Sequence, residues 1–188
     1  MRGNAFLLSL AVWFCVAPAR AEPPDYSRIL SSVSLSFDNG DMDRAVLLEN
    51  GDSGVDLYIY RALAPSSDKS ATPALVKKNA AWSGAMWGQL PSLETNAKGA
   101  LLIKSANDSI GRDRWSQTLT VIYRDKQFIV AGLTRETRDT LDLKNHHSCD
   151  LNFLSGKGVR DGKPVALKTP APKLADWSDE KLPGACVF

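Results

Sequence analysis

The stretch WSQTLTVIYRDKQFIVAGLTRET, running from Trp115 to Thr137, decides the fold. Leu119, Val121 and Tyr123 alternate with Thr118, Thr120 and Ile122. That period of two lays one apolar face of a strand against a core and leaves the other face semi-polar. Arg124-Asp125-Lys126 interrupts the apolar pattern, and β-branched and aromatic residues run away from it on both sides. The stretch predicts a hairpin of two long strands and so commits the chain to antiparallel β structure.

Upstream, the same alternation recurs in shorter pieces. Val33, Leu35 and Phe37 alternate with Ser34 and Ser36, and Ala45 to Leu48 reads as a buried strand. In the run Val55 to Tyr60, Leu57 and Ile59 face away from the tyrosines. Asp38-Asn39-Gly40-Asp41 and Asn50 to Gly54 carry the turn residues that join these pieces into a meander. Ala64 to Ala74 reads as an exposed loop, and Leu75 to Trp87 fits a strand or a short helix equally well.

Leu101 to Ile103 is a strand, Ser105 to Asp113 a polar loop, and Leu151 to Leu154 a short strand stopped by Ser155 to Gly158. Four prolines, Pro164, Pro170, Pro172 and Pro183, predict an irregular last thirty residues. The expected fold is mainly β: one antiparallel domain, a meander or sandwich-like sheet, with a short helix near Tyr26 to Ser31 as an option.

The N-terminus has the three parts of a secretory signal peptide. Arg2 is the positive start, Ala5 to Ala17 the apolar core, and Ala19-Arg20-Ala21 the cleavage signal. The core is too short to span a bilayer. Residues 1–21 are thus expected to be removed, leaving residues 22–188 as one exported domain, periplasmic in a Gram-negative bacterium. The full chain has 23 basic and 21 acidic residues, but Arg2 and Arg20 leave with the signal. A mature chain of zero net charge with no basic run beyond Lys77-Lys78 argues against nucleic acid as a partner. No second apolar stretch is long enough to span a membrane.

Of three cysteines, Cys15 lies in the signal. Cys149 and Cys186 remain as an even pair in an oxidising compartment, which predicts one disulfide tying the C-terminal tail to the body.

The segment with most chemistry is Phe37-Asp38-Asn39-Gly40-Asp41-Met42-Asp43-Arg44-Ala45-Val46. Its oxygen-rich side chains around a turn suit calcium, which takes six to eight oxygen ligands. From Phe37 to Tyr58 the chain resembles a single FG-GAP/VCBS-type repeat, in which an aspartate-rich loop precedes an Asp-x-Ala-Val strand. The resemblance implies Asp38, Asn39, Asp41 and Asp43 as ligand positions. The same residues also make an ordinary hairpin turn held by its own side chains.

From Gly99 to Gly158 the chain is similar to uncharacterised small exported bacterial proteins with this opening. Thr118-Leu119-Thr120, Tyr123-Arg124, Phe128 to Gly132, Arg138 to Asp142 and Cys149 to Gly156 carry that likeness, which implies fold and compartment but no activity.

Other candidates are thinner. His146-His147-Ser148-Cys149-Asp150 has no third histidine to complete a zinc site and reads as a polar loop before a strand. There is no G-x-S-x-G elbow. Asp139 and Asp142 sit among Arg135, Arg138 and Lys144, a pattern of surface pairing. Arg112, Arg114 and Trp115 are the best recognition candidates, because arginine and tryptophan combine contact area with directional donors. The expectation is a non-catalytic envelope protein that binds a protein or an envelope polymer. A calcium-stabilised adhesion module is the first alternative, and a periplasmic hydrolase with an acidic site the second.

Overall fold

A computed structural model describes residues 28–38, 42–50, 54–61 and 72–188. Residues 1–27, with the segment read as a signal peptide, and Asn39 and Asp41 of the aspartate loop lie outside the described residues. The chain folds into two antiparallel sheets, and among the described residues no helix has seven or more residues. Strands β1 (Ile29–Leu35), β2 (Asp43–Glu49), β3 (Gly54–Tyr60) and β4 (Leu75–Trp82) form a four-stranded meander in chain order. The second sheet has seven strands and is again a meander. It comprises β5 (Ser92–Thr95), β6 (Leu101–Asn107), β7 (Asp113–Arg124), β8 (Gln127–Asp139), β9 (His146–Asn152), β10 (Lys157–Arg160) and β11 (Lys163–Ala166).

The hairpin expected at Trp115 to Thr137 is the spine of the second sheet. β7 and β8 close at the Arg124–Gln127 pair. Asp125 and Lys126 both have positive φ, 51° and 61°, which is the backbone of a two-residue type I′ turn matched to strand twist. Leu119, Val121, Val130 and Leu133 point inward and are essentially inaccessible to solvent. They belong to the same apolar core as Leu47, Leu57 and Ile59 of the first sheet.

The sheets are fastened at both ends. At the hairpin tip, the Phe37 ring packs 5.4 Å from that of Phe128, and the Arg61 guanidinium lies 4.0 Å from the Tyr123 ring centroid. At the far end Trp82 of β4 meets Trp115 of β7 edge-on at 5.4 Å.

The first sheet leaves β8 and β9 to another cover, which the C-terminal tail supplies. Val130 N–H donates to the Pro172 carbonyl at 2.9 Å, and Ile129 pairs with Lys173 in an isolated bridge. Leu174 and Trp177, in and just after the 3-10 turn Leu174–Asp176, and Cys186 in the turn Gly184–Cys186 sink into the core, with the Trp177 ring 6.1 Å from that of Phe153. Cys149 on the buried face of β9 is bonded to Cys186, and both are 1 % exposed.

Several boundaries correct the expectation. Of the optional short helix near Tyr26 to Ser31, Tyr26 and Ser27 lie outside the described residues and Arg28 is in a 3-10 turn. Ile29 to Ser31 open β1, because Val33 and Leu35 follow in alternation and the whole run pairs with β2. The ambiguous segment resolves as β4 followed by a 3-10 turn at Ala85–Trp87. β6 continues through Asn107, and β9 begins at His146, taking in the residues read as a polar loop.

Lys157 and Gly158 do not stop a strand but start one. A Cβ on Gly158 would stand 2.5 Å from Leu151 Cδ2, so glycine is what lets β10 lie against β9. Asp161-Gly162, both at positive φ, then turns the chain into β11.

The disulfide closes 37 residues, for which chain entropy gives roughly 3–4 kcal/mol. Cys186→Ala is expected to lower the melting temperature by about 6–12 °C, read by circular dichroism. An unchanged melt would show that the tail adds nothing to the core.

Candidate functional site

Two regions attract attention from the sequence, and the fold treats them differently. In the aspartate loop, Asp43 is completely buried at the start of β2. Its Oδ2 accepts from the Phe37 backbone N–H at 3.0 Å and its Oδ1 from Arg61 Nε at 3.0 Å. Arg61 also pairs with Asp38. One guanidinium thus bridges two of the four proposed calcium ligands and supplies positive charge between them. The same guanidinium covers Tyr123, so Asp38 and Asp43 help to fasten the first sheet to the hairpin. Among the described residues no group of three or more His, Cys, Asp or Glu is placed to hold a metal ion.

Arg112, Arg114 and Trp115 are neighbours in sequence but serve three environments. Arg112 clamps Asp139, donating from Nε at 2.6 and 2.7 Å, and the pair straddles the starts of β7 and the β8–β9 loop. Asp139 is 4 % exposed and also accepts from the backbone N–H groups of Leu141 and Asp142. The Arg112 bond, followed by those two N–H groups, pulls its carboxyl down to about 2 against the opposition of burial.

Trp115 faces inward beneath Arg135, whose guanidinium lies 4.9 Å from the ring centroid. Arg135 donates to Gln117, Gln117 to Asp179, and Trp177 Nε1 to the same Asp179 oxygen. Burial pushes the Arg135 guanidinium below its usual range. This chain of polar groups anchors the tail beside the Trp82–Trp115 contact. Arg114 lies on the other face of β7, in a groove of about 270 Å3 that Asp108, Trp115, Glu136, Arg138 and His146 also line.

The same end of the molecule carries a feature that strand periodicity does not reveal. Three connections meet there: residues 83–91 before β5, 108–112 between β6 and β7, and 140–145 between β8 and β9. Gln89 Nε2 donates to Ser109 Oγ at 2.8 Å, and its Oε1 accepts from Asp108 N–H at 3.0 Å. Thr140 N–H donates to the Arg112 carbonyl at 3.1 Å. Asn107 holds the middle loop through Ile110, and Asp142 caps the third through Lys144 N–H.

On this laced rim Met86, Trp87, Leu90, Leu141 and Leu143 are 89, 58, 55, 79 and 87 % exposed. The available signal was large apolar residues in segments that are otherwise turn-like, Leu141 and Leu143 above all.

His146 and His147 diverge, as adjacent strand residues must. His147 Nδ1 lies 3.1 Å from Asp161 and its ring stacks on Phe188 at 5.1 Å, while Arg160 donates to the carbonyls of Gly184 and Val187. These contacts dock the end of the tail. No protein-family model matches the chain, and no curated protein sequence or solved structure shows significant similarity to it.

The lowered Asp139 carboxyl has a consequence for acid stability. Its ionised form is favoured in the folded state, so its contribution is complete above the unfolded value of about 4 and is lost as pH falls through the folded one. Thermal melts from pH 5 to pH 2 should therefore show wild type losing its advantage over Asp139→Asn as the pH drops. A constant difference across that range would rule out the clamp as an ionised pair.

Proposed function

We propose that this chain is an exported, periplasmic protein without catalytic activity that works by binding a protein or an envelope polymer through the loop rim. The observation that carries the reading is the set of five exposed apolar side chains on loops that hydrogen bonds hold in place. Isolated exposed apolar residues are ordinary, whereas a group of them at one end marks a contact surface. Burying one such side chain contributes roughly 1.5–3 kcal/mol. Loops already fixed by side-chain bonds lose little further entropy on binding, so more of that gain remains as affinity. Trp87 and the neighbouring arginines are the residue types that dominate contact energies.

A photoreactive residue in place of Trp87 or Leu143 is expected to form a crosslinked adduct in intact cells, while one in place of Val76 on β4 should not. Trp87→Ser combined with Leu143→Ser should abolish retention on immobilised envelope material and leave the melting temperature within about 2 °C, as exposed positions contribute little to stability. Adducts that form equally at Val76, or not at all at the rim, would contradict this reading.

A further inference from the structure

The outward face beside the rim holds an arrangement that the fold itself does not require. Arg114 on β7 pairs directly with Arg138 on β8, and Arg138 with His146 on β9. Strand periodicity puts the three side chains in one row on one face. Like charges directly opposite one another across strands are destabilising. Arg138 is partly relieved by Asp108, whose Oδ1 lies 2.7 Å from its Nη2. Arg114 has no such relief. It makes no hydrogen bond or ion pair among the described residues, and its Nη1 is shielded from solvent with no acceptor in reach.

A half-buried guanidinium without an acceptor, placed against a second guanidinium, carries two penalties at once. An anion between them removes both. The groove also selects the anion. Asp108 and Glu136 line it with Arg114 and Arg138, so a bound anion lies near two carboxylates as well as two guanidinium groups. A doubly charged group would meet those carboxylates, whereas a singly charged, planar carboxylate takes the paired donors of a guanidinium. We propose that the groove between Arg114, Arg138 and His146 is a binding site for a carboxylate-bearing ligand. This goes beyond the rim reading, because it needs nothing to dock on Trp87 or Leu143.

The test follows the arginine Nε–Hε signals of 15N-labelled protein during titration with sodium acetate. Saturable shifts at Arg114 and Arg138 are expected. Sodium chloride at equal ionic strength should not reproduce them, and inorganic phosphate should bind no more tightly than acetate. Arg138→Gln, at a side chain 59 % exposed, should weaken acetate binding at least about tenfold, the worth of one charged bidentate contact. Trp87→Ser should leave the titration unchanged, so failure of the rim and failure of the groove are told apart.

A separate melt in acetate-free buffer should show Arg114→Gln raising the melting temperature by about 1–3 °C, since one of the two opposed charges is gone. Shifts that chloride reproduces, tighter binding of phosphate, an unaltered Arg138→Gln titration, or a lower melt for Arg114→Gln would each overturn the proposal.

Discussion

The inner face of a seven-stranded sheet is larger than four short strands can cover, and much of the molecule follows from that mismatch. β7 and β8 run for 12 and 13 residues, against seven or eight in each strand of the first sheet. At about 3.3 Å per residue the hairpin is roughly 15 Å longer than its cover. Strands are stable only where their apolar face is buried, so β8 and β9 need a second lid. The tail provides it with Leu174 and Trp177, a backbone bond from Val130 to Pro172, and a disulfide. Prolines that argue against strand structure suit such a strap: it must lie across the sheet rather than pair along it.

The excess length of the hairpin also sets out the candidate contact surface. Sheet-on-sheet packing ends near Trp82 and Trp115. Beyond that pair the three loops run from buried ends at Ser83, Pro91 and Asp139 to exposed tips. Arg112–Asp139 and the Asn107 and Asp142 turns hold them in shape without apolar burial. A rim fixed by polar bonds can leave its apolar side chains facing water, which a rim fixed by packing could not. The outward row of Arg114, Arg138 and His146 begins at the same boundary.

What could be read from sequence follows the physics of each segment. The long hairpin was legible because Leu119, Val121 and Tyr123 alternate without interruption, and the Cys149–Cys186 pair because no other cysteine competes once Cys15 is set aside. β10 and β11 were not, since Gly158 and Pro164 signal breaks locally, and only the approach of Gly158 to Leu151 explains a strand there.

The start of β9 was hidden for a related reason, as polar His146 and Ser148 carry no apolar pattern to mark it. Among recognition candidates, neighbours in sequence suggested a common role for Arg112, Arg114 and Trp115. Strand alternation separates Arg114 from Trp115, and Asp139 takes Arg112. The partner of Arg114 across the sheet, Arg138, lies 24 positions along the chain, which only the register supplies.

The tail as second lid is most directly tested by amide hydrogen exchange with the disulfide oxidised and then reduced, under conditions that keep the protein folded. Local opening of the tail should expose the strands beneath it before the rest. The account predicts faster exchange at Val130, Leu133 and Leu151 after reduction, with Leu47, Leu57 and Ile59 in the first sheet little changed. Equal acceleration in both sheets, or none in β8 and β9, would contradict it.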